Sequence, residues 1–329
     1  MNVNRFTLAA LLIPAIVGTF LMGAPLVAYS QSQQPAIRQE APVTHHRSTR
    51  VDGVDIFYRE AGPADAPVVV LLHGFPTSSR MYRNLIPALS DRYRVIAPDY
   101  PGFGQSGIPD RKEFKYTFAR FADLMDGLLT QLGATRYALY VQDYGAPVGY
   151  RLALKRPGRI TALVVQNGNA YEEGLKEFWV PIKAYWADGS RQHREALRAG
   201  LTPAATKSQY VEGVRDASRI DPDNWVHDQA LLDRPGIDEI MLDLFKDYGT
   251  NVALYPKFQA FFRERRPPTL IAWGKNDVIF PADGARPYLR DLPDAELHLL
   301  DTGHFALEDK GPEIARLMRD FLDRKLPHK

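Results

Sequence analysis

The sequence predicts a mostly parallel α/β sheet interrupted by one helical insertion, and three observations carry that reading. Short apolar runs bounded by glycine, proline or aspartate recur along the chain. Two of them, "PVVVLLHGF" (67–75) and "YALYV" (137–141), are continuous enough to be strands buried on both faces. Stretches with helical spacing alternate with these runs, most clearly 118–132, where Gly133 is a stop signal. The alternation ceases after Asn169. Residues 170–266 hold Trp179, Trp186, Trp225 and several tyrosines in broken helix-like pieces, and the β/α rhythm resumes at "PTLIAWGKND" (268–277).

In chain order, "VDIFYREAG" (54–62) reads as an early strand and 67–75 as a buried one. A helix is expected over 78–89 and a strand at "YRVIAPD" (93–99). After the helix 118–132 come the strand 137–141, a helix over 146–154 and the strand "ITALVVQNG" (160–168). Beyond the insertion follow the strand 268–277, a helix near 283–289, the strand "ELHLLD" (296–301) and a last helix over 311–322. The expected domains are therefore a core of 49–169 and 267–329 and a helical cap of 170–266.

Composition narrows the function. A chain of 329 residues with 45% hydrophobic content can bury one large core, or a core and a smaller domain. A formal net charge of +2 without a Lys/Arg cluster argues against nucleic acid as a partner. Cysteine is absent from the sequence, which excludes disulfides and thiolate metal sites. Residues 6–28 follow Asn4-Arg5 without a charged side chain and end at Ala28-Tyr29-Ser30, the pattern of a signal peptide (1–30) cleaved for export to the periplasm or medium. An uncleaved membrane anchor is the alternative, weakened by Pro14, Gly18, Gly23 and Pro25. Residues 31–48 then read as a linker, with His45-His46 a solvated pair.

Gly102-Phe103-Gly104-Gln105-Ser106-Gly107 matches G-x-G-x-x-G after a strand, but Ile108-Pro109-Asp110 continues the loop where a dinucleotide site needs a helix N-terminus. The match is read as a glycine-rich loop.

The chemistry lies in "YVQDYGAPVGY" (140–150). Strand, sharp turn and helix with a reactive side chain at the apex form a nucleophile elbow, and Gly145 supplies the small residue the turn needs. The apex is Asp143. A carboxylate attacking an acyl carbon would give an anhydride, whereas displacement at a saturated carbon gives an alkyl ester on Asp143 that water must then break. That second step needs a general base. His304 in "DTGHF" follows one strand and Asp277 in "WGKND" follows another, so nucleophile, acid and histidine occur in the α/β-hydrolase order. Asp301 is a rival acid better placed for its local turn, and Asn167 carries no charge. The oxyanion of ester hydrolysis wants two N–H donors, assigned to the backbones of Phe75 in "HGFP" and Tyr144. His73 is a structural histidine in this reading.

These residues resemble the α/β-hydrolase superfamily, specifically its epoxide hydrolases and haloalkane dehalogenases, from about Val51 to the C-terminus. "HGFP" (73–76), "PDYPGFGQS" (98–106), "VQDYGA" (141–146), "WGKND" and "GHF" (303–305) carry the likeness. The resemblance implies an α/β-hydrolase fold with an inserted cap, a cis Phe75-Pro76 peptide, and leaving-group contacts supplied by the cap. A dehalogenase holds the departing halide with donors that typically include a tryptophan after the nucleophile, where this chain has Tyr144. Trp179, Trp186 and Trp225 are the candidates to compensate. An epoxide hydrolase protonates the opened oxygen with two cap tyrosines, for which Tyr255 and Tyr185 are the candidates, with Tyr171 and Tyr248 as alternatives.

The expected function is thus an epoxide hydrolase acting on small organic epoxides through Asp143, His304 and Asp277. A haloalkane dehalogenase and a non-catalytic hydrolase-like binding protein are the alternatives. No cofactor and no metal are called for, and no membrane partner unless the N-terminal segment stays uncleaved. No G-x-S-x-G occurs to support an esterase.

Overall fold

The computed structural model describes residues 43–326; the expected signal segment and most of the expected linker lie outside them. The sheet has eight strands in the order β1-β2-β4-β3-β5-β6-β7-β8. In chain order these are β1 (His45–Val51), β2 (Val54–Ala61), β3 (Val68–Leu72), β4 (Arg94–Pro98), β5 (Tyr137–Gln142), β6 (Ile160–Gln166), β7 (Thr269–Gly274) and β8 (Glu296–Leu300). β2 runs antiparallel to both β1 and β4, and all remaining pairs are parallel. Every residue of β5 is buried, as expected of a strand covered on both faces.

The core helices are α1 (Leu85–Leu89), α2 (Phe118–Gln131) and α3 (Gly145–Lys155). Between β6 and β7 lie the cap helices α4 (Val180–Asp188), α5 (Arg191–Ala196), α6 (Pro203–Val211), α7 (Asp223–Leu232), α8 (Ile237–Asp247), α9 (Gly249–Val252) and α10 (Tyr255–Arg265). Then come α11 (Tyr288–Asp291) and α12 (Ala306–Lys325). Among the described residues no helix is long and apolar enough to cross a membrane.

Four local expectations change. The sheet begins inside the expected linker, because β1 pairs with β2 across Asp52-Gly53, both at positive φ (45° and 80°). An Asp-Gly pair between two strand-like runs is a two-residue hairpin signal, and it was present in the sequence. His46 is accordingly a strand residue, its Nε2 accepting from Arg59 Nη1 at 2.7 Å. The helix expected over 78–89 is a short 3-10 turn, Ser79–Tyr82, followed by α1, since the Ser79 N–H is taken by Asp99 Oδ1 at 2.7 Å. The helix near 283–289 is likewise split, into a 3-10 turn over Ala282–Gly284 and α11, with Pro287 capping the latter. The last helix starts at Ala306 rather than at residue 311. Pro312 lies inside it, and the missing N–H is accommodated by non-helical Lys310 (φ −113°, ψ 18°).

The G-x-G-x-x-G stretch is a loop that folds onto Asp99. The Gln105 N–H donates to Asp99 Oδ2 at 2.8 Å, and Gly102 N–H closes the loop on Gly107 O at 3.0 Å. A carboxylate holds the turn where a dinucleotide site would present a phosphate.

Candidate active site

Parallel strands bring residues far apart in sequence to one edge of the sheet, beyond their carboxyl ends. Phe75 follows β3, Asp143 follows β5, Asp277 follows β7 and His304 follows β8. All four are buried, Asp143 being 5% and His304 2% exposed.

Asp143 sits at the elbow with φ +50°, a left-handed conformation that costs on the order of 1–3 kcal/mol outside glycine and persists where packing enforces it. Gly145 meets that packing: a Cβ there would stand 2.1 Å from Leu72 O. The strained turn lifts the carboxylate off the strand. Its Oδ1 accepts from the Phe75 N–H at 2.9 Å and from the Tyr144 N–H, so the two expected oxyanion donors converge on one oxygen. The Phe75-Pro76 peptide is cis.

That arrangement divides the labour between the two oxygens. Oδ1 rests where the negative charge of ester hydrolysis will develop. Oδ2 is free of those donors and faces His304 Nε2 at 3.8 Å. Oδ2 is therefore the oxygen left open to a substrate, with Nε2 beside it.

His304 is oriented from behind. Its Nδ1 lies 2.8 Å from Asp277 Oδ2, which makes Nδ1 the protonated nitrogen and leaves Nε2 as the base. Asp277 also accepts from Asn167 Nδ2 at 2.8 Å on Oδ2 and from the Ile279 N–H at 2.8 Å on Oδ1. Asn167 in turn takes the Gly274 N–H on its own Oδ1 at 2.9 Å. The residue set aside for lacking charge is thus the one that holds the charged acid in place. Its position one residue past β6, with φ +43°, is the signal that marked it. Asp301, the rival acid, is bound outward to Arg215 at 2.7 Å and Lys275 at 3.2 Å. His73 is fully buried, with Nε2 accepting from the Tyr100 N–H at 3.3 Å, a structural role as expected.

Burial pushes the Asp143 carboxyl up to about 6, against the pull of His304 and its two N–H donors. Burial lowers the basicity of His304, but Asp277 and Asp143 outweigh it and raise the imidazole above its ordinary value. Attack needs ionised Asp143 and ester hydrolysis needs neutral His304, and both forms are lost as pH falls. Turnover is expected to decline in acid with a kcat/KM limb near pH 6. A rate profile that peaks below pH 5 would contradict this assignment.

A cavity of about 410 Å³ lies above Asp143, roofed by the cap. Phe75, Ile182, Leu197, Phe245 and Ile279 make much of its wall, and no Lys or Arg lines it. Of the expected cap contacts, Trp179 lines the cavity, but its indole N–H donates to Ile279 O at 2.7 Å. Tyr185 does not line it, and its hydroxyl accepts from Arg194 Nη1 at 3.0 Å. Tyr255 is buried and does not line the cavity. Trp186 donates to Phe245 O at 2.7 Å, Trp225 packs on Tyr210, and the Tyr171 hydroxyl donates to Asp291 Oδ2 at 2.7 Å, all three away from the cavity.

Two further tyrosines stand in the cavity wall, Tyr144 directly after Asp143 and Tyr248. Both line the cavity, both are buried (3% and 1% exposed), and neither is bonded to a carbonyl or carboxylate. Their rings lie 6.0 Å apart, and Phe118 packs edge-on against both, at 4.8 Å from Tyr144 and 5.5 Å from Tyr248. Sequence reasoning used only the backbone of Tyr144 and kept Tyr248 as an alternative. Among the described residues no group of His, Cys, Asp or Glu is arranged to hold a metal ion.

The family model described as alpha/beta hydrolase fold matches residues 67–311. The chain belongs to the α/β-hydrolase family. The hydrolase is 47% identical over 276 residues to the hydrolase YNR064C of Saccharomyces cerevisiae, covering 82% of this chain and 94% of that one. It is 31% identical to a cis-3-alkyl-4-alkyloxetan-2-one decarboxylase of Xanthomonas campestris pv. campestris, over 83% and 93% of the two chains. A haloalkane dehalogenase of Mycobacterium marinum is 32% identical, over 78% and 85%. Among solved structures it resembles the epoxide hydrolase VrEH1 of Vigna radiata in fold, with a TM-score of 0.68, 23% identity, and 85% and 98% coverage. The hydrolase thus has relatives that act on carbon–halogen bonds.

Proposed function

We propose that this hydrolase opens uncharged organic epoxides to diols through an ester on Asp143. The observation that carries the choice is the pair of tyrosines in the cavity wall, Tyr144 and Tyr248, whose buried hydroxyls no carbonyl or carboxylate holds. Oδ2 of Asp143 attacks an epoxide carbon, the carbon–oxygen bond of the ring breaks, and the released oxygen takes a proton from a tyrosine. Water then adds to the carboxyl carbon while His304 Nε2 accepts its proton, with Oδ1 carrying the negative charge between the Phe75 and Tyr144 N–H groups. Collapse frees the diol and the carboxyl group, whose proton restores the tyrosine. Epoxide and water make the diol, and nothing else is consumed.

A departing halide has less to hold it. The tyrosine after the nucleophile brings no indole N–H, and the one on Trp179 is bound to Ile279 O. The walls favour a neutral substrate, since no cation offsets Asp143 and the exposed Glu212 stands at the rim.

The test is His304→Gln, which permits attack and stalls hydrolysis. The variant is incubated with a panel of epoxides and haloalkanes and the intact protein weighed. An adduct of the whole epoxide mass on Asp143 is expected. An adduct lighter by hydrogen halide, formed from haloalkanes alone, would make the enzyme a dehalogenase, and a folded variant without any adduct would remove the ester mechanism.

A further inference from the structure

Gln142 ends β5, immediately before the nucleophile; it is fully buried and does not line the cavity. Its Nε2 lies 3.0 Å from His304 Nε2. Asp277 decides the roles at that contact. Its carboxylate takes the Nδ1–H, so Nε2 of the neutral ring is a lone pair, and the carboxamide faces it with an N–H. One strand over, Gln166 stands at the matching register, is equally buried, and donates to His304 O at 3.1 Å. The ends of two adjacent strands grip the histidine by its ring and by its backbone.

The ring contact falls on the atom with the most to do. Nε2 must take the proton from water, and it also faces Asp143 Oδ2 at 3.8 Å. The charged groups facing the ring are Asp143 and Asp277, and both favour imidazolium. Phe280, stacked at 5.7 Å, and Phe305, edge-on at 5.0 Å, carry no charge. A charged ring would pair with the attacking oxygen and blunt it.

We propose that Gln142 is a positioning residue that guards Nε2, its N–H occupying the lone pair while Asp143 attacks and yielding it to the hydrolytic water once the ester has formed. When Nε2 has taken the proton of water, rotation of the amide presents Oε1 to the new Nε2–H. That oxygen is buried and has no other hydrogen-bond partner. The proton passes from Nε2 to the departing alcohol oxygen as the ester bond breaks, and the amide turns back. A carboxamide suits the task because it can donate to the neutral ring and accept from the charged one. The role rests on the ester mechanism proposed above.

The experiment uses the full chain with Gln142→Met, which removes the donor, and Gln142→Glu, which keeps the shape. Titration of His304 by NMR without substrate should show its midpoint moving up by about one pH unit in the methionine variant, because the bond donated to the neutral ring is lost, and further in the glutamate variant, whose carboxylate also attracts the imidazolium. Single turnovers of 1,2-epoxyhexane should then show ester hydrolysis about tenfold slower at pH 7 yet within about threefold of the parent on an alkaline plateau. An unmoved midpoint with rates lowered equally at every pH would mark Gln142 as packing and overturn the proposal. The titration needs no substrate, so a shifted midpoint with no ester formed from epoxides would keep the amide's bond to the neutral ring and overturn its role in epoxide hydrolysis. Should Gln142→Met fail to fold, Gln142→Leu takes its place, because it removes the donor without adding a charge beside the ring.

Discussion

Asp143→Asn is expected to abolish turnover and, above pH 6, to make the protein more stable. The loss should reach about 10⁴-fold or more in kcat, the scale on which removing a nucleophile acts when no other group can take its place. The gain follows from burial. A carboxyl whose folded value is raised to about 6 binds its proton more tightly in the folded state than in the unfolded one. Folding at pH 7 therefore carries a cost on the order of 2–3 kcal/mol for keeping that group ionised. The cost is absent in acid, where both states are protonated, grows as pH rises from the ordinary carboxylate range to about 6, and is level above it. Asparagine preserves an acceptor for the Phe75 and Tyr144 N–H groups, tolerates φ +50°, and has no charge to bury. Thermal or urea unfolding of the two proteins at pH 4 and pH 8 checks this. The stabilities should nearly coincide at pH 4 and diverge at pH 8 in favour of the variant. An asparagine variant less stable at pH 8 would mean that the paired His304 outweighs burial.

Gly74→Ala is expected to be nearly as damaging to activity as loss of the nucleophile. A Cβ on Gly74 would lie 2.3 Å from Asp143 Cβ, 2.6 Å from Asp143 Oδ1 and 2.5 Å from Gln142 Oε1. The two Asp143 atoms cannot retreat, since Cβ is fixed by the elbow and Oδ1 by two N–H donors. The methyl group must push β3 and β5 apart at their carboxyl ends, which costs about 1–3 kcal/mol as overpacking. Phe75 follows directly, so its N–H is displaced from Oδ1 together with the nucleophile. A misplacement of about 1 Å in such a site costs roughly 10²-fold, and here donor and nucleophile both move. The check is kcat/KM alongside unfolding. A variant that retained full activity would show that the strand ends have slack that the close contacts deny.

Much of the site was legible because its parts are local. The elbow needs only a buried strand, a sharp turn and a small residue two places on, and "VQDYG" states all three within a few positions. Asp277 and His304 follow apolar runs that end abruptly, and a parallel sheet collects such endings at one edge. The hairpin at Asp52-Gly53 is equally local, but the strand before it is polar and mostly exposed, so it lacks the apolar pattern that marks a strand. Asn167 escaped on chemical grounds, since a neutral amide was judged as a substitute for an acid and not as the support beneath one.

The cap lay beyond such reading. A strand end fixes the direction of its side chain by pleat and turn, whereas neighbouring positions on a helix point about 100° apart, and which of them faces a cavity depends on how the helix seats. Tyr185 is turned to Arg194, Tyr255 is buried off the cavity wall, and the indole of Trp179 reaches Ile279 O. Each seating is made by residues distant in sequence, so composition could name aromatic candidates without ranking them. The sequence by itself determined the fold and the strand-end places of Asp143, Asp277 and His304, because those follow from patterns a few residues long. Only the tertiary structure decided that Tyr144 and Tyr248 line the cavity and that Gln142 meets His304, because those contacts arise where separately specified elements pack together.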